Sequence, residues 1–198
     1  MTSDIAARLA AGLDGAADQL LFEATTPWDL DAAMTDFGFE TGVCAAQDIA
    51  GLDRVHARIR AAGETATPVL PRMVAEGRLG RTAGVGWYRY PGGGGLVIDP
   101  LVEDLLREEA RFAGVSRRDL SDDILIARLL LGLAKAALAL LRAGADAALI
   151  DRVSQRALGF PAAHGGVLSY LRTAAARLPE TVLGRLSEDE RAGLLHQP

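Results

Sequence analysis

Between residues 4 and 23 the apolar positions Ile5, Leu9, Leu13, Ala16, Ala17, Leu20 and Leu21 recur at spacings of three and four, with aspartates and an arginine between them. That is the period of an amphipathic helix. Thr26-Pro27-Trp28-Asp29 supplies an N-cap, a proline for the first helical position and an acid at the third, which predicts a second helix over 29–36 that stops at Phe37-Gly38-Phe39. Shorter helices are expected over 43–62, broken near Gly51, and over 68–76. Leucines, valine and acids return at helical spacing over 100–113, Ser121-Asp122-Asp123 caps a long helix running to Arg142, and helices over 146–157 and 164–177 follow. Ser187-Glu188-Asp189-Glu190 is a capping box for a last short helix ending near His196. No segment alternates apolar and polar residues over a convincing strand length, so the whole chain reads as all-α.

Two irregular stretches interrupt this pattern. The first, Gly77 to Tyr90, holds glycines at 77, 80, 84 and 86 and closes on Trp87, Tyr88 and Tyr90. The glycines admit left-handed backbone and the aromatics give the loop an apolar anchor, so it is expected to be ordered with Trp87 and Tyr88 packed on the helices. The second, Pro91-Gly92-Gly93-Gly94-Gly95, reads as a flexible tip or linker and divides the chain into 1–95 and 96–198. The two halves echo each other: Leu20-Leu21 answers to Leu140-Leu141, Asp31 to Asp151 and Gly38-Phe39 to Gly159-Phe160, at offsets of 120 or 121 residues. A duplicated helical unit packed as an intramolecular pseudo-dimer is the expectation.

The 198 residues suffice to bury a real core, and a net charge of -5 argues against a nucleic-acid or anionic-membrane partner. One cysteine, Cys44, allows no internal disulfide and no zinc cluster. The first residues carry no secretion signal, and the most apolar run, Leu129 to Leu141, is interrupted by Lys135, so a cytoplasmic location is expected.

Candidate chemistry is sparse. His56, His164 and His196 have no metal-ligand spacing, no serine-histidine-acid set emerges, and no catalytic or metal-binding residue is assigned. Arg54, Arg58 and Arg60 form either a solvated basic face or a grip on phosphates, an end that Arg72, Arg78 and Arg81 could also serve. Asp29, Asp31, Asp48 and Asp53 read as helix caps and turn acids rather than a general acid and base.

The glycine passage, Gly-Arg-Leu-Gly-Arg-Thr-Ala-Gly-Val-Gly-Trp-Tyr-Arg-Tyr over residues 77–90, resembles a loop of the C-terminal domain of 3-hydroxyacyl-CoA dehydrogenases. There Lys-Thr stands for Thr82-Ala83 and Phe for Trp87. The likeness extends through Glu23, Thr26-Pro27, Asp31, Ala33-Met34 and Phe37-Gly38-Phe39, then through Asp48, Gly51-Leu52-Asp53, and on to Asp122–Arg128, Ile150-Asp151, Gly159-Phe160-Pro161, Gly165-Gly166 and Tyr170. These last look like the second such domain of bacterial and peroxisomal multifunctional β-oxidation enzymes.

The resemblance implies a helical unit that dimerises and closes over acyl-CoA while a Rossmann domain binds NAD and carries a His-Glu pair. A strand, a Gly-x-Gly-x-x-Gly turn and a downstream acid do not occur in the 198 residues, so no cofactor-binding residue is expected here. The family's helix-one Asn-Arg pair falls on Ala7-Arg8, and its second-half Asn-Glu pair on Lys135-Ala136. Glu40 and Val43 stand where the family has proline. Arg8, Phe37, Gly38 and Phe39 are the implied substrate-binding residues. Two functions stay open: a stand-alone dehydrogenase C-terminal-domain protein that completes a separate Rossmann subunit or binds acyl-CoA, inactive by itself, or a non-catalytic assembly module.

Overall fold

The helix α1 (Thr2–Glu23) runs through the middle of the molecule, and the computed structural model, which describes residues 2–174, arranges the other elements around it. The Ser187–Glu190 capping box, the last short helix, His196 and the end of the helix expected over 164–177 lie outside the described residues. After α1 come α2 (Pro27–Phe37), α3 (Val43–Ala50), α4 (Leu52–Ala61) and α5 (Val69–Ala75); then a hairpin of β1 (Tyr88–Arg89) and β2 (Val97–Ile98); then α6 (Pro100–Phe112), α7 (Asp122–Arg142), α8 (Ala147–Leu158) and α9 (Val167–Ala174). The all-α expectation holds except at the two-residue strands, which pair antiparallel with Tyr88 opposite Ile98 and Arg89 opposite Val97. The glycine tip between them is the turn of that hairpin.

The predicted stripe of α1 is its buried face: Ile5, Leu9, Leu13, Ala17, Leu20 and Leu21 are all in the core. Its main neighbour is α7, whose leucines 125, 129, 130, 131, 133, 138 and 140 are also buried. That helix is long and apolar enough by composition to cross a membrane, and here much of it is packed inside protein. The two helices cross backbone to backbone. A Cβ on Gly12 would stand 2.6 Å from the Gly132 carbonyl oxygen and 2.8 Å from the Ala136 Cβ; one on Gly132 would stand 2.5 Å from both the Gly12 oxygen and the Ala16 Cβ. Only glycine at both positions permits this approach.

Around that crossing the same bonds recur 120 to 124 residues apart. The Asp31 carboxylate accepts from the Cys44 and Ala45 N–H groups at 2.8 and 2.9 Å, closing the amino end of α3, and Asp151 accepts from Leu168 and Ser169 at the start of α9. Neither helix brings a capping side chain of its own. Gly42 makes room for the first of these bonds, since a Cβ there would overlap Asp31 at 2.2 Å. Thr26 accepts from Asp29 N–H as Asp146 does from Leu149 N–H, and the Phe39 and Phe160 N–H groups donate to the Met34 and Ser154 carbonyls. In contrast, the Ser121 side chain makes no capping bond although it precedes α7.

The glycine loop is ordered by one carboxylate. Fully buried Asp48 accepts from the Trp87 and Tyr88 N–H groups, both at 2.9 Å, and from the Tyr90 hydroxyl at 3.0 Å. Trp87 is buried as expected, and its Nε1–H donates to Gln47 Oε1 at 2.7 Å. Arg78 ties the loop to the second half by donating to the Gly86 carbonyl and to Asp99, the N-cap of α6. Trp87→Phe keeps most of the apolar anchor but leaves the Gln47 oxygen without its donor. The expected cost is about 1–2 kcal/mol, read as a fall in the denaturant midpoint at unchanged m-value.

At the far end of α1 no basic residue lies in the last turn, and Arg117 fills that role from the second half, donating to the Leu21, Phe22 and Thr25 carbonyls. Burial pushes its guanidinium below its usual range. Burial likewise raises Asp18 to about 6, against the pull of the Thr67 N–H and hydroxyl bonds, and raises Asp48 to about 6 against its own donors. Both folded values lie above the ordinary carboxylate near 3.9, so between pH 4 and 6 the folded chain holds more protons than the unfolded one. These two groups therefore favour the fold most at pH 4 and lose that contribution as pH climbs through 6. For Asp18 it is on the order of 3 kcal/mol. Thermal melts at pH 4.5 and 7 should show it as a difference that Asp18→Asn removes.

Candidate functional site

An open groove of about 830 Å³ is laid along α1. Its floor is a run of small residues, Ala7, Ala11, Gly12, Gly15 and Ala16, and its walls are the end of α4 with Glu64 and Thr65 on one side and α7 on the other. The α1 residues of this floor carry little side chain, the same property that lets α7 approach at Gly12.

Cations gather on this groove in a chain that is acidic overall. Arg8, Arg58, Arg128, Lys135 and Arg142 line it, with Asp4 and Glu64 the lining acids. Arg58 is held by Asp14, its Nε at 2.7 Å and one Nη at 2.6 Å. Asp14 in turn accepts from Gln47 Nε2 at 3.0 Å, and the oxygen of Gln47 is the one bonded to Trp87. A line of buried polar contacts therefore runs from the glycine loop to the groove wall. Burial raises the Asp14 carboxyl above its usual range, with the Arg58 charge and the bonds from Gln47 and Arg58 opposing. Arg128 is fixed by Glu23 at 2.7 Å. Arg8 is exposed and makes no ion pair among the described residues.

The four residues expected to bind substrate fall in two places. Arg8 is on the groove rim. Phe37, Gly38 and Phe39 are at the end of α2, in an aromatic cluster with Phe160, His164 and Tyr170, where Phe37 lies 4.8 Å from the His164 ring and Phe39 lies 5.6 Å from Phe160. Gly38 sits against Pro161, and this cluster is a second seam between the halves. The fold does not bring it together with Arg8. Ala7 and Lys135-Ala136, far apart in sequence, do meet: all three line the groove.

Of the other candidate cations, Arg54 and Arg60 are solvated, Arg72 is spent on Glu76, Glu108 and Glu109, and Arg81 lies over the Tyr90 ring. Sequence reasoning did not place Arg128 and Arg142 on the groove that Arg8 lines. The available signal was that Arg8 and Arg128 share the 120-residue offset. No group of three or more metal-ligating side chains occurs among the described residues. The glycine loop does not fit a nucleotide phosphate, because the N–H groups that would meet an anion there are given to Asp48.

Comparison with known proteins adds the following. Residues 5–90 match the family described as 3-hydroxyacyl-CoA dehydrogenase, C-terminal domain. A peroxisomal bifunctional enzyme of Danio rerio is 33% identical over 172 residues, covering 76% of this chain and 24% of that protein. The Homo sapiens enzyme of the same description is 30% identical over 190 residues, covering 85% and 26%. The chain thus spans about a quarter of the length of these curated relatives. Among solved structures, the dehydrogenase part of multifunctional enzyme 1 from C. elegans shares the fold with a TM-score of 0.69 at 20% identity, over 98% of this chain and 48% of that one. A 3-hydroxybutyryl-CoA dehydrogenase from Escherichia coli shares it at 0.59 and 17% identity, over 96% and 59%.

Proposed function

We propose that this chain, whose residues 5–90 match the 3-hydroxyacyl-CoA dehydrogenase C-terminal domain family, completes a separate NAD-binding Rossmann subunit by closing over an acyl-CoA along the α1 groove. The observation that carries this reading is the convergence of Ala7-Arg8 and Lys135-Ala136, the positions matching the family's two polar pairs, on one groove. Nicotinamide belongs to the Rossmann unit, which supplies hydride transfer and the general base; the helical chain positions the thioester and excludes water from it.

The reading treats 1–95 and 96–198 as related halves packed as a pseudo-dimer, supported by the paired Asp31 and Asp151 bonds and by the reciprocal contacts of Gly12 and Gly132. It keeps the cytoplasm as the compartment, resting on the single buried Cys44. A second reading, a non-catalytic assembly module, is favoured by one observation: Ala7 offers no hydrogen bond where the family has asparagine.

Titration calorimetry separates the two. Acetoacetyl-CoA is expected to bind the chain alone and NADH is not, and NADH oxidation should appear when a Rossmann subunit is added. Silence towards acetoacetyl-CoA would leave the assembly module, and NADH binding by the chain alone would overturn both.

A further inference from the structure

We propose that the outer edge of β2 is a self-association surface, through which the hairpins of two copies of the chain join about a two-fold axis into a four-stranded sheet. Four aliphatic side chains lie exposed within six residues, Leu96, Val97 and Ile98 in a row and then Leu101, which is 66% exposed. Proteins commonly blunt a free strand edge with charged side chains, and Leu96 to Ile98 carries none. The edge also offers backbone groups. Tyr88 donates its N–H to Asp48 and its carbonyl accepts from the Gly86 N–H, so both of its backbone groups point away from β2. In an antiparallel pair the residue opposite does the same on its own side, which turns the N–H and C=O of Ile98 outward, where neither makes a bond among the described residues. Two such edges are complementary: Ile98 facing its counterpart exchanges two hydrogen bonds about the axis.

Charge and area choose the occupant. Asp99 is the only charged residue from Tyr90 to Val102, and it is buried and bonded to Arg78. A chain of net charge -5 therefore has here a surface on which its own copy meets no repulsion, while a charged partner finds no counter-charge on β2. A strip of this size covers on the order of a few hundred Å² on each copy, below the ~800 Å² per partner of a standard interface, so the dimer is weak and reversible. None of these residues lines the α1 groove, and the dimer leaves that groove open.

Sedimentation equilibrium of the whole chain, from micromolar to millimolar concentration, should show monomer and dimer in exchange with a Kd on the order of 100 µM. Val97→Glu, which gains a favourable partner in Arg89 across the hairpin, and Leu101→Lys should each weaken the dimer by about tenfold or more while thermal melts stay at the wild-type temperature. Their opposite charges separate an effect at the edge from one on net charge. Exchange of the Ile98 amide hydrogen should slow as protein concentration rises, which contact through side chains alone would not produce. A chain that stays monomeric at millimolar concentration overturns the proposal, as does a dimer that both variants leave intact or in which the Ile98 amide exchanges at the monomer rate. So does a monomeric chain whose NADH oxidation with an added Rossmann subunit is abolished by Leu101→Lys, because the edge would then serve that subunit.

Discussion

Gly12→Ala is expected to destabilise the chain by about 3 kcal/mol, although alanine is the better helix former by about 1 kcal/mol. The added methyl would lie 2.6 Å from the Gly132 oxygen and 2.8 Å from the Ala136 Cβ, well inside van der Waals contact, and the nearest atom is backbone that no rotamer change can move. The helices α1 and α7 must part by about 1 Å, which forfeits a quarter to a half of the dispersion attraction at each contact along the principal interface of the molecule. The melting temperature should fall by about 6–12 °C. Gly15→Ala is the internal control: it sits one turn on in the same helix with nothing within 4 Å of its would-be Cβ, so there the propensity gain stands alone and the expected change is a stabilisation of about 1 kcal/mol. Stabilisation at both positions would show that helix backbone entropy, not the crossing, sets the outcome.

The second large effect is expected at Asp48→Ala. Three buried donors, the Trp87 and Tyr88 N–H groups and the Tyr90 hydroxyl, lose their acceptor, at about 1–3 kcal/mol each. Against this, the variant is relieved of a carboxylate that burial holds at about 6, and at pH 7 that relief is about 3 kcal/mol. Orphaned donors outweigh it, giving a net loss on the order of 3 kcal/mol at pH 7. Near pH 4.5 the wild-type group is protonated in the fold and its desolvation cost is gone, so the gap between wild type and variant should widen as pH falls through 6. Chemical denaturation at the two pH values measures this; a gap that narrows on acidification would mean that Asp48 acts as an ionised anchor.

Local chemistry was legible in the sequence and long-range polar contacts were not. The α1 stripe, the Thr26-Pro27 start of α2 and the Gly38 and Gly159 helix ends all follow from residues within one or two turns of each other. Asp31 shows the boundary: its position on α2 is readable, but the N–H groups it accepts from belong to α3, 13 and 14 residues on. The hairpin escaped because strands of two residues carry no alternation. In the groove, Arg8 came from the motif and Arg58 from the basic run it shares with Arg54 and Arg60, whereas Arg128 joins the groove only through the packing of α7 on α1, where Glu23 holds it. Phe37 and Phe39 were read as substrate contacts from motif position alone, and only the packing assigns them to the seam with Phe160 and His164.

The α1–α7 crossing also sets a clock for synthesis. The apolar face of α1 is made well before the helix that covers it, which begins at Asp122, so on a ribosome adding about 5–20 residues per second that face waits several seconds to tens of seconds for its partner. In the meantime α2 and α4 can shield only part of it. The carbonyls at the end of α1 stay open as well until Arg117 is made. Contacts closing across more than a hundred residues place the chain among slow folders for an all-helical protein. A nascent chain stalled before α7 would thus expose Leu9, Leu13 and Leu20 as an adhesive surface, the stage at which a holding chaperone has most to bind.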